Sequence, residues 1–159
     1  MTSVLIASAL LFAEPQFPRD FVGIWQGDLE WTKTSDSKKQ VIKMTFSILP
    51  TKETDVYSYR ITYGKDPVRS YLLRGVKGEP NHWIVDEGDG ILLDSYWVGG
   101  SLISSFLVSG NQIVTNLRRE GKDLIWTTVS YKAGTAVSGG VTSNVVQSLQ
   151  RAKLVKKKG

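Results

Sequence analysis

The sequence predicts an all-β fold, a single antiparallel up-and-down β-barrel of about eight to ten strands. From Phe21 onward, apolar side chains recur at every second position, which is the period of a strand with one buried face. These runs are short, and glycine, asparagine and aspartate mark the turns between them. An open meander of this length leaves two unpaired edges, so we expect the sheet to close into a barrel.

The alternation is clearest in the run 21–31, where Trp25 and Trp31 share one face and Asp28 and Glu30 share the other. The same period continues through the expected strands 42–48, 57–63, 69–77, 81–87, 90–98, 101–109, 112–119, 122–132 and 144–156. The last run also has helix-forming residues. We interpret it as the closing strand, because the first strand of a closed meander needs a partner on its free edge.

The sequence indicates one domain with short flanking segments. The first thirteen residues are uncharged and mostly apolar, too few to span a bilayer as a helix, and their length fits the apolar core of a secretory signal peptide. No basic residues precede that core, and an N-terminal helix is the alternative. Cleavage of this signal peptide near Ala13 would give a secreted or periplasmic protein. The expected segments are a leader (1–13), a linker (14–20), the barrel (21–156) with a loop near one mouth (132–144), and a basic tail (157–159).

Composition excludes several functional classes. The 159 residues include no cysteine, so disulfide scaffolds, thiolate nucleophiles and thiolate-bound metals are excluded. The net charge is +5, but three lysines lie in a terminal run at 156–158 and the other basic residues are interspersed with acids. This pattern is typical of a solvated end, so we expect no specific nucleic-acid partner. We expect no transmembrane span, and a monomer or weak homodimer.

Residues suited to catalysis or metal binding are sparse. His82 is the only histidine and follows a turn, which favours a position at the surface or rim. Asp86, Glu87, Asp89 and Asp94 cluster in and around the sequence Glu-Gly-Asp-Gly at 87–90, which suits either a calcium ion or a hairpin turn, and the spacing favours the turn. We therefore expect no catalytic residue, no metal site and no cofactor, and the chain is not predicted to be an enzyme.

The first strand carries the sequence Gly23-Ile24-Trp25, which resembles the Gly-x-Trp signature of the calycins, the lipocalin and fatty-acid-binding-like barrels. The resemblance implies that Trp25 packs across a closed barrel end beneath a basic residue from the end of the barrel sequence. Arg151 is the first candidate for that residue and Lys153 the second.

Two further stretches, 116–126 and 147–153, are similar in layout to the haem-binding nitrobindin-like barrels. That branch ligates iron through a histidine shortly before its last strand. Residues 143–145 contain no histidine, so the resemblance does not extend to haem.

Aromatic residues are the most informative candidates for a binding site. The chain has five tryptophans and six tyrosines, and several fall on faces predicted to point inward. Such side chains either line a pocket for an apolar or planar ligand or fill the barrel. Arg74 lies in a strand of ambiguous phase, where it either receives a ligand carboxylate or faces solvent, the latter being favoured. The candidate ligand-binding residues are Tyr57, Tyr59, Tyr63, Arg74, Trp97 and Trp126.

Two functions remain open at this stage. The first is a secreted or periplasmic lipocalin-like protein that binds a small hydrophobic or amphiphilic molecule. The alternative is a non-enzymatic envelope module, with a filled barrel, that acts through its surface. The volume inside the barrel distinguishes them.

Overall fold

The computed structural model describes residues 14–134, 136–137 and 139–158. The leader predicted over residues 1–13 lies outside the described residues. A short 3-10 helix, η1 (Arg19–Phe21), leads into the first strand. The twelve strands are β1 (Gly23–Lys33), β2 (Asp36–Pro50), β3 (Val56–Tyr63), β4 (Arg69–Val76), β5 (Glu79–Gly88), β6 (Ile91–Val98), β7 (Ser101–Val108), β8 (Asn111–Glu120), β9 (Asp123–Lys132), β10 (Ala136–Val137), β11 (Val141–Thr142) and β12 (Val145–Lys156).

Ten of these strands form one closed antiparallel barrel in the order β1-β12-β9-β8-β7-β6-β5-β4-β3-β2. The predicted fold class is confirmed. The segment 145–156 is a strand rather than a helix, and it pairs with β1 and β9. The expected loop after β9 contains a two-stranded hairpin made of β10 and β11.

The turns follow the glycine chemistry expected from the sequence. In the turn between β5 and β6, Gly88, Asp89 and Gly90 all have positive φ, a conformation suited to glycine and tolerated by aspartate. The sequence Glu-Gly-Asp-Gly is thus a hairpin turn. No helix in the described part of the chain is both long enough and apolar enough to cross a membrane.

The barrel has two different ends. The end of the barrel where β1 begins at Gly23 and β12 ends at Lys156 is called the closed end. The end where β1 ends at Lys33 is called the open end. Side chains alternate between the interior and the outer surface along each strand. The buried core lies toward the closed end, where Phe21, Trp25 and Phe46 are fully buried.

Candidate functional site

Trp25 forms the floor of the barrel. Its side chain is 0% exposed, and its indole Nε1 donates a hydrogen bond of 2.9 Å to the backbone oxygen of Phe21. The guanidinium carbon of Arg119 lies 4.7 Å from the ring centroid and the ammonium of Lys156 lies 5.5 Å from it. Both distances are within the range of cation–π attraction. The predicted role of Trp25 at a closed end therefore agrees with its position.

Arg151 does not cover Trp25, and that expectation was wrong. Arg151 lies opposite Glu30 on β1 and is exposed, whereas its neighbour Ala152 is buried inside the barrel. Strand alternation therefore places Arg151 and the second candidate, Lys153, on the outer surface. The cations over Trp25 come from the end of β8 and the end of β12 instead.

Gly23 and Gly27 allow the strands to approach closely beside Trp25. Gly23 has φ +145, and a Cβ built there would lie 2.4 Å from the side chain of Lys156. A Cβ at Gly27 would lie 2.3 Å from the backbone oxygen of Lys153. A larger residue at Gly27 would push β1 and β12 apart where they close the barrel, whereas at Gly23 the positive φ itself disfavours a side chain and the movable end of Lys156 could shift.

An aromatic cluster completes the closed end. Phe17 stacks on Trp97 with centroids 5.3 Å apart and meets Phe21 and Trp83 edge-on at 5.2 Å. The predicted linker segment thus includes a residue that packs against the core. Two of the predicted ligand-binding residues belong to this end: Trp97 packs on Phe17 and Phe21, and Tyr57 lies 6.2 Å from Trp83. Neither lines the cavity described next, so their assignment to the ligand site was wrong.

Toward the open end the barrel is hollow. A cavity of about 410 Å³ occupies this half, a volume within the range of pockets that hold small organic ligands. Its wall is mostly apolar and aromatic, with a few hydroxyl and charged groups. The lining residues are Leu29, Trp31, Ile42, Tyr59, Ile61, Tyr63, Asp66, Arg69, Tyr71, Val85, Glu87, Leu93, Ser104, Phe106, Ile113, Thr115, Trp126, Thr128 and Gln150.

Three of the predicted ligand-binding residues, Tyr59, Tyr63 and Trp126, are among those that line the cavity. Tyr59 packs edge-on against Phe46 at 4.9 Å, and Phe46 lies 5.5 Å from Trp126. These contacts support the aromatic wall from the packed core below. The indole Nε1 of Trp126 donates to the hydroxyl of Thr128 at 2.9 Å, which fixes the ring.

The tyrosines of the cavity are held in their neutral form. Burial raises the pKa of Tyr59, and the neighbouring Tyr63 and Tyr71 raise it further. Burial is also the main reason for the raised pKa of Tyr63 and of Tyr71. No described residue hydrogen-bonds to the hydroxyl of Tyr59 or Tyr63. These neutral hydroxyls are therefore available as hydrogen-bond partners for a bound molecule.

Charged residues lie at the open end of the barrel. Arg69 at the start of β4 lies over the ring of Tyr63, with 5.2 Å from the guanidinium carbon to the centroid. Lys33 at the end of β1 lies 4.5 Å from the ring centroid of Trp31. Glu87 is half-buried, and burial raises the pKa of its carboxyl group although the charge of Arg69 opposes this. Asp66 adds a second carboxylate at this rim.

Neither Arg69 nor Glu87 was predicted to line the cavity, and the sequence carries a signal only for Glu87. Glu87 is two residues after the buried Val85, so the period of β5 points it inward. Arg69 is two residues before Tyr71, but the apolar run Tyr71-Leu72-Leu73 leaves the phase of β4 undefined from the sequence alone.

Arg74 faces outward and is not a cavity residue. Its Nε lies 3.2 Å from a carboxylate oxygen of Asp86, and its Nη1 lies 3.7 Å from one of Glu53. The favoured alternative of a surface charge is confirmed, and the alternative of a ligand-binding arginine is wrong. The alternation of side chains along β4 explains the outward direction of Arg74, because the adjacent Leu73 is fully buried inside the barrel.

His82 also lies on the outer surface. Its two ring nitrogens are 2.8 Å from Glu79 and 2.7 Å from Asp94, and its ring stacks on Tyr96 at 4.5 Å. Hydrogen bonds to Asp94 and Glu79 raise the pKa of His82. The surface position predicted from the sequence is confirmed. From this position the imidazole cannot ligate a group bound inside the barrel, so the residues present do not fit histidine-ligated haem.

Comparison with known proteins supports the fold alone. No protein-family profile matches the chain, and no curated protein matches its sequence. A solved structure of a protein with unknown function from the DUF3598 family, from Nostoc punctiforme PCC 73102, is similar with a TM-score of 0.65 and 12% sequence identity. The similarity covers 87% of this chain and 48% of the neighbour, so the chain spans about half of the neighbour's length.

Proposed function

We propose that this barrel binds a small hydrophobic or amphiphilic molecule in its interior, as a calycin-like, lipocalin-like binding protein. The observation that carries the proposal is the cavity of about 410 Å³ that opens at one end and is walled mainly by apolar and aromatic side chains. Small-molecule sites are typically concave, mostly apolar and equipped with a few oriented polar groups. The cavity favours this function over a module with a filled barrel.

The proposed role is binding without catalysis. The tyrosines of the cavity have raised pKa values, so at neutral pH they are protonated and act through hydrogen bonds rather than as phenolate bases. We further propose export of the protein, supported by the uncharged apolar run before Glu14. The intact mass of protein recovered outside the cytoplasm reports whether that run has been removed.

The cavity can be tested with N-phenyl-1-naphthylamine, a neutral aromatic probe whose fluorescence rises in apolar surroundings. We expect saturable binding to the parent protein. Thr115→Trp places a large ring in the cavity and should weaken binding by about tenfold or more, since ligand and side chain compete for one volume.

Val114→Trp is the matched control, because the neighbouring residue on β8 points to the opposite face of the sheet. The control should bind the probe as the parent does. Equal binding by the parent and both variants would place the probe elsewhere and contradict the proposed function. Native mass spectrometry of the purified protein gives an independent readout of any retained molecule.

A further inference from the structure

The proposed function leaves the chemical class of the ligand open, and the inference here rests on that function. We propose that the cavity takes a planar aromatic anion, with its rings between the aromatic walls and its negative group at the open end beside Arg69 and Lys33. The class follows from the shape of the walls, from the cations at the rim and from the hydroxyls between them.

The aromatic walls face one another. In the strand order of the barrel, β4 and β9 are five steps apart among ten strands, so Tyr71 and Trp126 project from opposite sides. Tyr59 is stacked on Tyr71 with an angle of 27° between the rings and 6.5 Å between centroids, so this side of the cavity carries two neighbouring aromatic rings. Aromatic rings on both sides of a cavity suit a planar molecule, since aromatic faces pack well against other flat π-systems.

The rim already holds cations over its aromatic faces. Arg69 covers Tyr63 and Lys33 covers Trp31, so a cation of the protein already occupies one face of each of these two rings. Neither Arg69 nor Lys33 forms an ion pair with any described residue, although Arg69 interacts with the hydroxyl of Tyr71 and with the charge of Glu87. Each of these two positive charges attracts an incoming anion and repels an incoming cation.

The acidic groups at the rim oppose this preference. Glu87 and Asp66 both line the mouth, and each would repel an anion when ionised. Burial favours the neutral form of the Glu87 carboxyl group. The protonated hydroxyls of Tyr59 and Tyr63, which have no partner among the described residues, supply further donors to a negative or carbonyl oxygen.

Two matched probe pairs test the class. 8-Anilino-1-naphthalenesulfonate and N-phenyl-1-naphthylamine share their ring systems and differ in the sulfonate, so their affinity ratio isolates the charge. Naphthalene-2-carboxylate and decanoate carry the same charge and a similar number of carbons, so their competition against the sulfonate isolates planarity. We expect the sulfonate to bind about tenfold more tightly than its neutral partner at pH 7, the effect of one charge-assisted contact at a partly exposed site. We expect naphthalene-2-carboxylate to be the stronger competitor.

Arg69→Gln should remove most of the preference for the sulfonate while leaving the neutral probe within about twofold of its parent affinity. Arg60→Gln is the control, since Arg60 is exposed on the outer face of β3 and removes the same charge. Circular dichroism and melting of both variants establish that they are folded.

The outcomes separate the two proposals. If neither naphthalene probe binds the parent protein, the proposed function fails. If the neutral probe binds as tightly as the sulfonate, or the preference survives in Arg69→Gln, the anion class is wrong while the cavity stands. If decanoate competes better than naphthalene-2-carboxylate, the ligand is a flexible chain and planarity is wrong.

Discussion

The closed and open ends of this barrel use the same kinds of side chain for different purposes. At the closed end, Arg119 lies over Trp25, and its guanidinium donates to the backbone oxygens of Asp20, Gly121 and Asp123. At the open end, Arg69 lies over Tyr63 beside an open cavity. A cation–aromatic pair therefore does not by itself identify a functional site. The partners of the remaining donors distinguish a structural arginine from one available to a ligand.

The largest difference between the ends should appear on removing a tryptophan. Trp25→Ala should lower the free energy of unfolding by about 3–5 kcal/mol, because a fully buried indole and its hydrogen bond are lost. Trp31→Ala at the open end should cost much less, since its side chain is only half-buried beside a cavity. Chemical denaturation monitored by circular dichroism measures both. Equal losses would mean that the two ends do not differ in this way.

Exchanging the two arginines for glutamine should separate the ends by a smaller amount. Arg119→Gln leaves backbone carbonyls at the closed end without their donor, and we expect a loss of about 1–3 kcal/mol. Arg69→Gln removes an exposed rim residue and should change stability by less than about 0.5 kcal/mol. If Arg69→Gln proved as destabilising as Arg119→Gln, the rim arginine would be structural.

The smallest effect concerns the acid at the open end. Because the pKa of Glu87 is raised in the folded state, its ionisation opposes folding, and this penalty develops as pH rises from the unfolded pKa through the folded one. Glu87→Gln should therefore raise the melting temperature slightly at pH 7.5, and the gain should vanish near pH 3.5. Glu30→Gln serves as the control, because Glu30 lies outside the barrel and pairs with Lys39 at 2.8 Å. A gain that is independent of pH would contradict the role of burial.

Local patterns predicted the barrel well, because strand alternation and glycine turns are encoded within a few residues of each other. The pairing of β12 with β1 could also be predicted, since the first strand of a closed barrel needs a neighbouring strand on its free edge. The cation over Trp25 was misassigned because the calycin resemblance indicates a basic residue near the end of the barrel sequence without giving its strand phase, and Arg151 points outward. Arg119 is two residues after the buried Leu117, and that spacing points it inward.

The cavity itself could not be predicted from the sequence. Whether a barrel is hollow depends on the summed volumes of side chains from ten strands at one level, a property of the closed structure rather than of any segment. Trp97 and Tyr57 were correctly placed on inward faces. They were nevertheless assigned to the ligand site although they lie at the closed end. Strand alternation shows whether a side chain points into the barrel, but it does not show at which level along the barrel axis the interior is empty.

The pairing of β1 with β12 has a consequence for how the chain folds. Trp25 lies opposite Lys156, so the contact that closes the ring joins residues more than a hundred positions apart. Such contacts carry a high loop-closure entropy and form slowly. Until β12 has been synthesised, β1 and β9 each have one unpaired edge, and such edges are prone to pair with strands of other molecules. β12, the last strand of this barrel to be synthesised, therefore protects the edge of the first.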